Sequence, residues 1–176
     1  YLSGTTFLYN DRTPRILSTP SPTAYLKIAE GCSRSCTFCT VPKIRGPYRS
    51  RRLSSILREA ERLVSQGIQE LILIAQDTTA YGEDLGGEVS LQKLLKELVR
   101  IDGLRWIRIL YGYPQHAHFP NELLELMAKE HKVCSYLDLP IQHIDDGILK
   151  RMGRRTKNQE IRNLLKRIRD FIPHIT

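Results

Sequence analysis

The sequence predicts an α/β fold, a partial (β/α) barrel of parallel strands alternating with helices that stops before a fifth strand. Three observations point there. Short apolar or alternating runs of strand length recur along the chain, each followed by a longer segment of helical periodicity. The resulting order, βαβαβαβα, needs crossover connections, which in one sheet means parallel strands joined right-handedly. The sulfur-bearing and polar residues of interest fall just after strands, where ligands gather in such sheets.

The elements follow in order. Tyr1 to Thr23 contains TPRILSTPSPT, rich in Pro, Ser and Thr, and reads as a linker from an upstream domain. The core domain is expected over 24–176. Tyr25–Ala29 (YLKIA) alternates as a strand does. Over Leu53–Gln66, Ile56, Ala60, Leu63 and Val64 share one helical face, with Ser54 expected to cap the start and Gly67 to end it. Leu71–Ala75 (LILIA) is a continuous apolar run, as expected of a strand covered on both faces. Ser90–Val99 is helical, with Leu91, Leu94, Leu95 and Leu98 on one stripe. Trp106–Leu110 (WIRIL) is the third strand, with Trp106 assigned to the core. Glu122–Lys129 is a helix with Leu123, Leu124 and Met127 inward, and Tyr136–Leu139 (YLDL) is the fourth strand. Asp146–Met152 is a short helical piece. Asn158–Phe171 is a long helix with Ile161, Leu164, Leu165 and Ile168 aligned. The chain stops at Thr176, where a fifth strand is expected to begin.

A chain of 176 residues with 41% hydrophobic content suits one domain with a core. No window holds 18 uninterrupted apolar residues, and the N-terminus lacks the pattern of a signal peptide, so a cytoplasmic protein with reduced thiols and no membrane partner is expected. The net charge of +8 favours an anionic partner such as RNA, a nucleotide cofactor or an acidic surface, and fits a solvated basic surface equally.

Three of the four cysteines lie in one loop, Cys32-x3-Cys36-x2-Cys39. A structural zinc site needs four protein ligands. Cys134 precedes the fourth strand, at the wrong end, and no histidine has zinc-finger spacing. Absent secretion signals argue against a disulfide framework. Cys134 is most simply a small buried hydrophobe. Three thiolates suit a 4Fe–4S cluster with one iron left open. Zinc and a structural role for the thiols stay as alternatives at this point.

The CxxxCxxC spacing, with Phe38 before the last cysteine, resembles the radical S-adenosylmethionine (SAM) superfamily. That resemblance implies Cys32, Cys36 and Cys39 as ligands of a 4Fe–4S cluster, whose open iron holds the amino and carboxylate groups of SAM. One electron would then cleave the S–C5′ bond and give a hydrogen-abstracting 5′-deoxyadenosyl radical. The stretch YLKIAEGCSRSCTFCTVPKIRGPYRSR further resembles the methylthiotransferase family, through Pro42, Arg45-Gly46 and Arg49-Ser50-Arg51. After the second strand, AQDTTAYG (Ala75 to Gly82) is similar to the branch acting on a ribosomal protein rather than the branch acting on tRNA adenosine. YLDLPIQH and ILKRMGR agree.

The resemblance implies a radical SAM core over 24–176 and a methylthio group added to the β-carbon of an aspartate of small-subunit ribosomal protein S-twelve. It implies a second 4Fe–4S cluster only in a separate N-terminal domain, and an electron donor such as flavodoxin or ferredoxin. tRNA is the alternative substrate, and a non-catalytic metal-binding RNA module is the alternative of another class.

Around the cofactor the expected contacts are Phe38, Gln76, Asp77, Asp138, Gln142 and His143, each also able to serve as a strand-end cap or structural group. Lys43, Arg45, Arg49, Arg51 and Arg52 are candidates to neutralise an anion or to form salt bridges. Arg151, Arg154, Arg155 and Lys157 read as a basic surface. Tyr81, Tyr111 and Tyr113 suit either a pocket mouth or the core.

Overall fold

The computed structural model describes residues 7–87 and 89–176. Four parallel strands form the sheet in the order β1 (Thr23–Lys27), β4 (Glu70–Ile74), β5 (Trp106–Ile109), β6 (Val133–Leu137). Between β1 and β4 lie a two-residue antiparallel ribbon, β2 (Ala29–Glu30) with β3 (Arg49–Ser50), and the helices α1 (Val41–Arg45) and α2 (Leu53–Ser65). The remaining helices are α3 (Leu91–Leu98), α4 (Asn121–Lys129), α5 (Asp146–Arg151) and α6 (Asn158–Phe171).

Strand alternation decides the core. Ala24, Leu26, Leu71, Leu73, Ile107, Ile109 and Val133 are buried on one face of the sheet, in one apolar cluster with Ile56, Ala60 and Leu63 of α2, the four leucines of α3, and Leu123, Leu124 and Met127 of α4. Ile161, Leu164 and Ile168 of α6 are buried too. The expected helical stripes are therefore realised, with Val64 and Leu165 half-buried at their edges.

Several sequence expectations need correction. Ile72 and Ile74 are only half-buried, so β4 is fully covered on one face, not two. Trp106 is 47% exposed. With a period of two, burying Ile107 and Ile109 turns Trp106 and Arg108 to the opposite face. There Arg108 pairs with Glu70 (2.9 Å), and Cys134 is half-buried and no member of the core. The fourth strand begins at Val133, three residues before the predicted start, because Val133 pairs with Ile107 and continues the buried row. Asp138 and Leu139 leave the strand, and the Asp138 carbonyl accepts from Gly112 N instead. Ser54 caps nothing: α2 starts after extended Arg52 with no side-chain cap.

The last residue sits beside β6 as a parallel strand would. Thr176 N donates to Ser135 O (3.1 Å) and Leu137 N donates to Thr176 O (2.9 Å). Residues 1–6 of the predicted linker lie outside the described residues. Farther along it, Asp11 accepts from Arg58 Nε (2.9 Å) and Ser55 Oγ (2.8 Å), and Arg15 pairs with Glu59 (3.0 Å). These contacts hold the segment along α2 and keep the Asp11 carboxyl well below the usual carboxylate range, the Arg58 hydrogen bond being the main cause.

Candidate functional site

The cysteine loop is closed at its base by the β2–β3 ribbon, Ala29 opposite Ser50 and Glu30 opposite Arg49. Gly31 then takes φ +82°, and a Cβ there would lie 2.2 Å from the Pro47 carbonyl oxygen. The close approach lets Cys32 N donate to Gly46 O at 3.1 Å. On the other side of the loop, Thr37 N donates to Met152 O (3.0 Å) and Thr37 Oγ1 to Arg151 O (3.0 Å). Cys39 N donates to Cys36 O (3.1 Å), turning the last two cysteines back on each other. Gly31→Ala combines a left-handed backbone with a backbone clash, so local opening around Cys32 should become easier. Alkylation of Cys32 in the reduced protein is expected to rise on the order of tenfold. Gly86→Ala, strained but in open space, is the control and should change it little.

All three loop cysteines are free, half-buried thiols, and all three line one cavity of about 180 Å³. Phe38, Gln76, Asp77 and Gln142 line it with them, as do Arg34, Tyr111, Tyr113, Pro140 and Arg154. The cavity thus gathers the loops that follow β2, β4, β5 and β6. Asp138 and His143 do not line it. The Asp138 carboxylate accepts from Tyr111 N (3.1 Å), and His143 Nδ1 accepts from Asp145 N (3.0 Å), so each secures a turn behind the wall.

Two wall residues carry backbone strain. Tyr111 has φ +60° and Gln142 has φ +68°, positions that cost a non-glycine residue about 1–3 kcal/mol and cluster at ligand sites. Gln76 donates through Nε2 to buried Glu30 (3.1 Å), while its Oε1 is buried without a partner among the described residues.

Arg34 ties the cysteine loop to the sheet. Its guanidinium donates to Asp77 Oδ2 (Nη2, 2.9 Å; Nε, 3.3 Å) and to Gln115 Oε1 (2.7 Å). It lies over the Tyr113 ring with Cζ 4.0 Å from the centroid, and Arg154 lies 4.4 Å from the same centroid. Asp77 is 2% exposed and also accepts from Thr79 Oγ1 (2.6 Å), so its carboxylate is fully committed. His118 completes the group, 2.9 Å from Thr79 Oγ1 and 2.8 Å from Glu83. Burial pushes its pKa down despite the nearby carboxylates, and burial likewise pushes the Cys32 thiol up, with Asp77 adding to the rise.

Sequence reasoning missed Arg34 and His118 and placed Arg154 on the surface. Arg154 is buried and donates to Pro140 O (2.5 Å). Of the tyrosines, Tyr111 and Tyr113 line the cavity, and Tyr81 is buried with its hydroxyl on Arg51 O (2.9 Å). In the Arg49–Arg52 run, Arg51 forms a buried salt bridge with Glu59 (2.7 Å), and farther up the loop Arg45 lies 3.8 Å from Glu30.

Comparison with known proteins bears on this arrangement directly. The radical SAM superfamily matches residues 26–176. The chain belongs to the radical SAM superfamily. Within it, the chain is 51% identical over 175 residues to the protein named ribosomal protein uS12 methylthiotransferase RimO of Geotalea uraniireducens, covering 99% of this chain and 39% of that protein. Identically named proteins of Syntrophus aciditrophicus (55% identity, 96% of this chain, 37% of that protein) and Clostridioides difficile (50%, 95%, 37%) agree. The chain therefore spans under two-fifths of the length of these relatives.

Among solved structures, the radical SAM methyltransferase TsrM of Kitasatospora setae superposes with TM-score 0.64 at 19% identity, over 89% of this chain and 32% of that one. The cobalamin-dependent radical SAM enzyme OxsB superposes with TM-score 0.62 at 13% identity, over 84% and 22%. Both share the fold of this radical SAM chain.

Proposed function

We propose that this chain is the radical SAM core of a methylthiotransferase that modifies the β-carbon of an aspartate on small-subunit ribosomal protein S-twelve. The observation that carries this is the convergence of Cys32, Cys36 and Cys39 on a single cavity at the C-terminal ends of the strands, while Cys134 sits near the opposite end of β6. A single zinc ion would gather its thiolates about 2.3 Å from one point. A cubane takes one thiolate per iron corner, so three thiols on one cavity leave the fourth corner for a cofactor.

The residues fit the cofactors. Cys32, Cys36 and Cys39 would hold three irons of a 4Fe–4S cluster and leave the fourth for SAM. When bound, the pair supplies one-electron cleavage of the sulfonium and so a carbon radical able to abstract hydrogen. The unpartnered Gln76 Oε1 is an acceptor for the SAM ammonium, and Gln142 offers a second polar contact from the facing loop. Phe38 and Tyr111, both about half exposed, present aromatic surface along the cavity wall against which a bound cofactor could pack. Arg34 places a cation beside the thiolates and offsets their charge, while Asp77 positions Arg34. Asp138 and His143 act through the turns they hold.

Residues 1–23 would join this core, over 24–176, to a further domain. Among the described residues no helix is long and apolar enough to cross a membrane, and a cytoplasmic setting suits a ribosomal substrate.

The test is anaerobic reconstitution with iron and sulfide, then reduction with dithionite in the presence of SAM. Release of 5′-deoxyadenosine is expected. A colourless protein holding one zinc ion and cleaving no SAM would overturn the proposal. For the substrate, the full-length enzyme should place a methylthio group on S-twelve and not on tRNA. The reverse outcome would assign the chain to the tRNA branch.

A further inference from the structure

We propose that the exposed basic edge formed by Lys150, Arg151 and Arg155 docks an acidic one-electron carrier protein that reduces the cluster. The inference rests on the radical SAM function proposed above. The segment from Arg151 to Gly153 lies directly on the cysteine loop, through the two hydrogen bonds from Thr37 to Met152 O and Arg151 O. Gly153, at φ +70°, approaches so closely that a Cβ would stand 2.6 Å from the Ser35 carbonyl oxygen. Ser35 and Thr37 are exposed where they flank Cys36, so this edge is a short route from solvent to the thiols.

The charge on the edge is available. Lys150, Arg151 and Arg155 are exposed, and among the described residues their side chains have no hydrogen-bond or ion-pair partner. Nearby arginines are occupied: Arg34 by Asp77, Arg154 by Pro140 O and the Tyr113 ring. Two carboxylates lie nearby at the start of α5, so the edge carries three positive charges against two negative ones, and both acids are tied to the backbone. Asp145 caps α5 through Ile148 N (2.9 Å), and Asp146 accepts from Asn158 N (2.6 Å). Unpaired cations beside a redox centre recruit an anionic surface and speed encounter. In the step itself, one electron leaves the reduced carrier and enters the cluster, and the carrier departs oxidised by one electron. An acidic protein is favoured over RNA because the cations lie on the path to the centre, where RNA has no redox part.

The experiment compares the cluster-loaded chain with its Lys150→Glu/Arg151→Glu/Arg155→Glu variant, using reduced flavodoxin as the acidic carrier. Cluster reduction is followed by absorbance bleaching without SAM. At low salt the variant should be reduced at least about tenfold more slowly by flavodoxin. Oxidised flavodoxin should bind it correspondingly more weakly, and added salt should slow the parent far more than the variant. Dithionite should reduce both alike, which shows that the cluster and fold are intact. A control with equal charge change, Lys96→Glu/Lys129→Glu/Lys166→Glu, should match the parent. Parent-like flavodoxin reduction in the first variant would overturn the proposal, as would a short RNA that outcompetes flavodoxin for this edge. Failure of SAM cleavage under dithionite would strike the proposed function instead, since the bleaching measurement uses no SAM.

Discussion

Cys36→Ala is expected to retain little iron after reconstitution and to release no measurable 5′-deoxyadenosine. On the proposed ligand set of three thiolates, losing one leaves two iron corners without a side chain, and the loop holds no other cysteine to recruit. Cys134 cannot substitute, because it sits in β6 on the face shared with Arg108, away from the cysteine loop. The fold should survive. Cys36 is a half-buried loop residue, not a member of the apolar core, so its truncation removes few packed atoms. Far-ultraviolet circular dichroism should be unchanged and the apoprotein midpoint should shift by only a few degrees. Cys134→Ala should keep its iron and its SAM cleavage. A Cys36→Ala protein that still carries an intact cluster would sink the ligand assignment, and loss of the cluster in Cys134→Ala would show that the fourth cysteine had been misjudged.

The clustering of three thiols on one cavity was legible in the sequence because spacing within a single loop is a local property. The helices were legible for a similar reason. The leucine stripe of α3 and the Ile161–Ile168 stripe of α6 each announce a buried face within one turn-by-turn pattern. Strand faces were harder. LILIA is apolar at every position, so nothing local says that Leu71 and Leu73 are covered while Ile72 and Ile74 are half-open. WIRI did carry the answer, since burying Ile107 and Ile109 excludes Trp106, yet size outweighed alternation in assigning it to the core. The Arg34–Asp77–His118 group was invisible because its members are 43 and 84 positions apart along the chain from Arg34. Such a group exists only once parallel strands bring the loops after β2, β4 and β5 together. Asp77 was rightly drawn to the cavity by its place after a strand, but its partners, and hence its role behind Arg34, needed the fold.

Arg51→Met is expected to destabilise the protein by about 3–5 kcal/mol, the usual cost of removing one partner of a buried, hydrogen-bonded ion pair. Arg51 is only 1% exposed. Its Nη1 lies 2.7 Å from Glu59 Oε2 and donates to Lys27 O at 2.7 Å, and its Nη2 donates to Ser55 Oγ at 3.1 Å. Removing the guanidinium leaves buried Glu59 with the more exposed Arg15 (3.0 Å) as its one ion-pair partner among the described residues, and unpairs the Lys27 carbonyl at the end of β1. For a chain of this size the loss corresponds to a fall in thermal midpoint of roughly 6–20 °C.

The site should feel it as well. Arg51 N donates to Ile28 O (2.8 Å), immediately next to the ribbon that closes the cysteine loop, and Tyr81 holds the Arg51 carbonyl. Iron retention should therefore fall at temperatures where the rest of the fold persists. The double variant Arg51→Met/Glu59→Leu decides between a charge effect and a shape effect. If the penalty is an uncompensated carboxylate, removing that carboxylate should restore most of the lost stability. A double variant as unstable as the single one would mean instead that the hydrogen bonds to Lys27 O and Ser55 hold the ribbon in place, and a single variant melting within 2 °C of the parent would contradict both.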